Sequence, residues 1–159
     1  MGFWSWLIDI LNFRRRLPPA PVPPQPAPKS QVDAVVAEIN RLRVERGRFP
    51  VVSDPRIDTV SQAWAVSLAA QDQLSHGNVA YRIASVYPAV PYGEDIAAGD
   101  LSVQDVVAMW ANDPPHAQIL FGNFNRVGVG IALSRSGWSY WVADFVLASA
   151  GGDLKQRVA

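Results

Sequence analysis

The chain contains no cysteine, only two histidines and two methionines among its 159 residues. Without thiols there is no disulfide framework and no thiolate metal site. That absence does not fix the compartment. The charges cancel, with 14 Lys and Arg against 14 Asp and Glu, so bulk electrostatics argue for no nucleic-acid partner. No apolar run reaches the roughly 18 residues that a membrane-crossing helix requires. What is plentiful is apolar and aromatic material: 49% of residues are hydrophobic and six are Trp. A chain of this length suits one domain with a real core plus an appendage.

The appendage lies first in the sequence. Residues 3–13 are strongly apolar, and Arg14, Arg15 and Arg16 follow. A secretory signal carries its positive charge before the apolar stretch, so this is not a standard one. Ser5, Asp9, Asn12 and Arg16 would form one narrow polar stripe on a helix. Residues 1–16 are therefore expected to be an amphipathic anchor helix about 20 Å long, too short to span a bilayer. Trp at one end and Arg at the other suit a membrane surface. They also suit a groove on a protein partner. Residues 17–29 hold seven of the thirteen prolines, which predicts an extended polyproline-II tether. The order is anchor, tether, then a domain over residues 30–150, with a tail over 151–159.

Within the domain, Ser30-Gln31-Val32-Asp33 resembles a capping box. Val32, Val35, Val36, Ile39 and Leu42 follow at helical spacing, and Gly47 closes that helix. Asp54-Pro55 predicts a second helix start, with Ile57, Val60, Trp64 and Leu68 as its buried stripe. A short helical piece is expected near residues 79–87. Ser102 and Asp105 signal another cap, before Val103, Val106, Val107 and Trp110. Asp113-Pro114-Pro115 reads as the end of that helix. Then the period changes to two. Val127, Val129, Ile131 and Leu133 alternate with small residues, Ser136-Gly137 marks a turn, and Trp138, Tyr140, Val142 and Asp144 alternate again. This is a hairpin covered on both faces. By periodicity Trp110, Trp138, Tyr140 and Trp141 are mostly core. Helices preceding a late pair of strands make an α+β layout.

Both histidines fall in short segments that look chemical. These are Leu74-Ser75-His76, Gly93-Glu94-Asp95-Ile96-Ala97 and Trp110-Ala111-Asn112-Asp113-Pro114-Pro115-His116. Two imidazoles and a carboxylate can hold a divalent cation, zinc by donor type, or do acid–base work. Equally, each histidine can be a hydrogen-bonded structural residue, and Glu94 a carboxylate bonded to backbone at a turn. Ser75 cannot face His76 as a helix neighbour, so no serine-hydrolase triad is supported.

The segments, taken in order, resemble the CAP superfamily, also called the SCP or sperm-coating-protein domain. The resemblance covers about residues 32–145. It rests on Ile39-Asn40-x-x-Arg43-x-x-x-Gly47-x-x-Pro50-Val51, on Leu74-Ser75-His76, and on Gly93-Glu94-Asp95-Ile96-Ala97-Ala98-Gly99. It continues through Trp110-x-x-x-Pro114-x-His116-x-x-Ile119-Leu120 and Val127-Gly128-Val129-Gly130 to Tyr140-Trp141-Val142-x-x-Phe145. The lack of cysteine and the short length look like the bacterial branch. The resemblance implies an α-β-α sandwich, with helices flanking a small antiparallel sheet. It also implies a groove lined by His76, Glu94 and His116, often with a divalent cation on the two histidines, and lipid binding in certain members. The family's usual Gly-Glu-Asn-Ile is Gly-Glu-Asp-Ile here, which adds Asp95 as a groove acid. No glutamate lies between Glu94 and His116, so Asp113 is the nearest candidate for the family's second acid, ahead of Asp105.

Three functions follow as expectations. The first is a tethered binding protein, extracytoplasmic or envelope-associated, taking a divalent cation on His76 and His116 and a lipid or small apolar ligand. The second is a metal-dependent hydrolase of cell-envelope or peptide material, with Glu94 as the catalytic base. The third is a structural or virion protein docked through residues 3–16. The first is preferred, and with it binding over catalysis.

Overall fold

The computed structural model describes residues 23–149. The anchor segment, most of the Pro-rich stretch and the tail lie outside the described residues. Five helices and five strands are present among them. The helices are α1 (Lys29–Glu45), α2 (Pro55–Gln71), α3 (Val79–Ala84), α4 (Val103–Asn112) and α5 (Pro114–Leu120). The strands are β1 (Gln25–Pro26), β2 (Val52–Ser53), β3 (Tyr92–Gly99), β4 (Arg126–Leu133) and β5 (Ser139–Val146). The sheet order is β1-β4-β5-β3, and β2 joins the start of β4 in parallel. The three long strands pair antiparallel, with Val127 opposite Phe145 and Glu94 opposite Asp144.

Helices cover both faces of this sheet. Val127, Val129, Ile131, Trp141, Ala143 and Phe145 pack with Val35, Ile39, Val106 and Trp110 of α1 and α4. On the other face Ile96, Ala132, Tyr140 and Val142 pack with Ala65, Leu68 and Ala69 of α2. Period-two alternation thus places one set of strand residues in each layer. The result is the α-β-α sandwich of the sequence reading.

Several local signals act as expected. Asp54 caps α2, its side chain accepting from Arg56 N–H, with Pro55 at the first turn. Ser102 and Asp105 form a reciprocal capping box on α4. Gly47 follows α1 with φ +68°, a conformation that glycine adopts without a Cβ penalty. The α2 stripe is finer than expected. Ser61, Ala65 and Ala69 are buried beside Ile57 and Leu68, while Val60 and Trp64 are half-buried. Small residues face the sheet because α2 lies directly on the glycines of β4. A Cβ on Gly128 would sit 2.3 Å from the Ile57 carbonyl carbon, and one on Gly130 2.2 Å from the Ser61 carbonyl oxygen.

Three expectations need correction. Ser30 caps nothing: α1 begins at Lys29 behind Pro28, without a side-chain cap, and Asp33 pairs with Lys29 instead. Trp138 is 53% exposed, because it sits at the turn between β4 and β5. The residues Asp113-Pro114-Pro115 do end α4, but they also start α5. Proline is acceptable in the first turn, where its missing N–H is not needed. The Pro-rich stretch also reaches into the fold. Gln25 and Pro26 pair with Leu133 and Ala132, and Pro26 is tolerated there because β1 is an edge strand.

Candidate functional site

The site forms at the β3 edge of the sheet. Glu94 is on the face of β3 that looks toward α2, directly across from Asp144 of β5. Its side chain is nearly fully buried and both oxygens are engaged. His76, in the loop after α2, places Nδ1 at 2.6 Å from Oε1, and Arg82 of α3 donates to Oε2. Arg82 Nε also lies 3.5 Å from Asp144 Oδ2. Ser61 of α2 donates to that same Asp144 oxygen at 2.7 Å. A continuous polar chain therefore runs His76–Glu94–Arg82–Asp144–Ser61 through the α2 layer. The Arg82 guanidinium stacks over the Trp64 ring at 4.9 Å. Trp64 in turn donates through Nε1 to the Ser75 carbonyl at 3.1 Å, which fixes the loop carrying His76. Gly77 makes this possible: a Cβ there would meet the Trp64 ring at 2.5 Å.

His116 arrives from the other layer. It sits in α5, and its Nδ1 lies 2.5 Å from Asp113 Oδ2 at the helix start. Burial, the charge of His116 and the charge of Arg82 together hold His76 below the usual histidine range. Each imidazole has Nδ1 committed to a carboxylate, which leaves Nε2 as the free nitrogen. Metal-ligating histidines have this arrangement, with the carboxylate fixing tautomer and ring orientation. Among the described residues no three His, Asp or Glu side chains converge as a ligand set.

The acids of the site carry unequal loads. Burial and the neighbouring Asp144 charge push Glu94 up to about 8, against the pull of Arg82. Burial likewise raises Asp144, opposed by Arg82 and Ser61. Asp95 does not line the groove as expected. Strand neighbours point to opposite faces, so it turns away from Glu94 into the layer of α4 and α5. There it is fully buried, and neither oxygen has a hydrogen-bond partner. Burial, then the charges of Glu94 and Asp113, push it up to about 8. Asp105 is spent on the α4 capping box.

Sequence reasoning named His76, Glu94, Asp113 and His116, and the structure joins them in two carboxylate–histidine pairs. It missed Arg82, Ser61 and the role of Asp144. Asp144 carried a signal, as an acid on an apolar strand face. Beside this chain, an open cleft of about 350 Å³ is lined by Val60, Ala63, Trp64, Tyr81 and Arg82.

The family model for CAP, the cysteine-rich secretory protein family, matches residues 36–145. The chain belongs to the CAP family. No curated protein matches its sequence. Solved structures do resemble its fold. An outer surface protein from Borrelia burgdorferi aligns with TM-score 0.71 and 18% identity, over 79% of this chain and 98% of that one. An extracellular protein containing an SCP domain, from Bacillus anthracis, aligns with TM-score 0.65 and 16% identity, over 76% of this chain and 41% of that one. A cysteine-rich secretory protein from Staphylococcus aureus aligns with TM-score 0.64 and 11% identity, over 76% and 39%. This CAP chain therefore spans about two-fifths of the latter two proteins. Among the described residues no helix is long and apolar enough to cross a membrane.

Proposed function

We propose that this CAP protein is an envelope-displayed binding protein, held on a membrane surface by residues 3–16, whose groove takes a divalent cation on His76 and His116. The observation that carries the reading is the pair of carboxylate–histidine couples. His76 Nδ1 is bonded to Glu94 and His116 Nδ1 to Asp113, which leaves two oriented Nε2 atoms. Imidazole nitrogens favour zinc among common cations. When bound, the cation would act as a Lewis acid toward a ligand in an open position. The chain's own residues hold and orient: Arg82 fixes Glu94, and Glu94 and Asp113 fix the rings.

Binding is favoured over hydrolysis because Glu94 is fully employed. One oxygen faces His76 and the other accepts from Arg82, and the side chain is only 2% exposed, which leaves little access for a water to be activated. The cleft at Val60, Ala63, Trp64 and Tyr81 supports a small apolar ligand beside the cation. The names of the structural relatives, outer surface, extracellular and secretory, support display outside the cytoplasm.

Zinc titration of the full chain by calorimetry tests the reading. The expected result is one-to-one binding that is lost in His76→Ala and in His116→Ala, with each variant still folded. Absence of binding in the unaltered chain, or binding that survives both substitutions, overturns it.

A further inference from the structure

The chain enters the domain at one defined place. β1 runs antiparallel to β4, with Gln25 opposite Leu133, and Ala27 N–H donates to the Ile131 carbonyl at 2.9 Å. Followed backward from Gln25, the chain heads past the end of β4, beside the β4–β5 turn. Eight residues, 17–24, separate Arg16 from Gln25, and a fully extended chain of that length reaches about 30 Å at most. Any surface occupied by residues 3–16 therefore lies within about 30 Å of this turn.

The turn has the residues of an interface. Leu133 is 48% and Trp138 53% exposed, on the last rung and just beyond it, and alternation places them on opposite faces. Arg135 stands exposed between them. The turn is braced: Ser134 N–H donates to the Trp138 carbonyl at 2.8 Å, Ser136 Oγ to Asp72 at 2.9 Å and Tyr140 OH to Asp72 at 3.1 Å. A braced, convex Trp-and-Leu tip suits a fluid lipid interface, which needs no matching pocket. Arg14, Arg15 and Arg16, which precede the Pro-rich tether in the sequence, would complement anionic headgroups.

We propose that the β4–β5 turn is a second lipid contact, with Trp138 and Leu133 entering the interface of the anionic membrane face on which residues 3–16 dock. This rests on the membrane-tethered reading above. It also orients the site. Ser139, opposite Leu133, and Asp144, opposite Glu94, are five residues apart on β5, or up to about 17 Å along the strand. The Glu94–His76 pair is then held off the membrane, where it meets soluble or wall-borne ligands rather than bilayer lipid.

Because the chain has no cysteine, single-cysteine labels are unique. An environment-sensitive fluorophore would be placed in the full chain at Ser136→Cys, at Ser5→Cys, or at Arg48→Cys on the exposed loop leading into β2. Each labelled protein would be mixed with vesicles of three parts phosphatidylcholine to one part phosphatidylglycerol. Blue shifts at positions 136 and 5 but not at 48 are expected. Trp138→Ser combined with Leu133→Ser should lower vesicle partitioning roughly three- to tenfold at unchanged Tm, and abolish the shift at 136 while that at 5 persists. A shift at 5 alone overturns the proposal and leaves the tether intact. No shift at either position overturns both.

Discussion

Glu94 and Asp144 face each other across the β3–β5 pairing, and a single guanidinium, that of Arg82, serves both. Two acids and one base in a buried layer cannot all be charged at low cost. Arg82 reaches both acids of this pair, and its side chain is 10% exposed. Replacing it with Met should destabilise the protein by about 3–5 kcal/mol, read from urea unfolding. Adding Glu94→Gln and Asp144→Asn to that variant should recover a large part of the loss. Full stability in Arg82→Met alone would show that the chain His76–Glu94–Arg82–Asp144–Ser61 contributes little to the fold.

Asp95 makes stability pH-dependent. Its folded value is raised to about 8 from an ordinary 3.8, so between those values the folded state holds a proton that the unfolded state releases. Stability from this group is complete below about pH 4 and falls as pH rises through about 8. Asp95→Asn should flatten that slope and raise stability by roughly 1–2 kcal/mol near pH 8. Thermal melts of the two proteins from pH 5 to pH 9 check this. Parallel curves would mean that Asp95 has found a partner.

Asp113 is placed to orient His116 and not to hold the fold. Asp113→Ala should weaken zinc binding about 10- to 100-fold while leaving Tm nearly unchanged. The same calorimetric titration measures it. An unaltered affinity would detach this couple from the proposed cation site.

Arg43 is buried with no carboxylate beside it among the described residues. It donates to the carbonyls of Phe49, Leu120, Gly122 and Phe124 at 2.6–3.2 Å, joining α1 to the loop before β2, to the last residue of α5 and to the segment that follows it. Removing it strands several buried acceptors, so Arg43→Ala should cost about 3 kcal/mol or more. Lysine cannot reproduce the planar fork and should recover only part of that, as denaturant midpoints would show.

Gly130→Ala tests the contact between α2 and β4. The added Cβ would lie 2.2 Å from the backbone of Ser61, and backbone cannot yield as a side chain can. A loss of about 3 kcal/mol or outright failure to fold is expected, whereas Gly137→Ala, with open space around it, should cost only the strain of its φ of +90°.

Local patterns in the sequence were enough to place α1, α2, α4 and the β4–β5 hairpin. Helical spacing, Pro55 behind Asp54, the Ser102–Asp105 box and the period-two run each act within a few residues, where neighbours alone set the conformation. The histidine segments were legible for the same reason, as short strings of reactive side chains. Tertiary structure decided the rest. That Asp95 faces the layer of α4 and α5 while Glu94 faces that of α2 depends on the face that β3 presents, and β3 exists only through its pairing with β5. Arg82 became part of the site because packing of α3 carries it to two acids 12 and 62 positions further along the chain. Pro114-Pro115 ends one helix by backbone rule, yet only the packed layer makes the following turn, with His116, a second helix. The sequence specifies which groups are available; pairing register and layer packing determine which of them meet, because those contacts join residues that no local pattern connects.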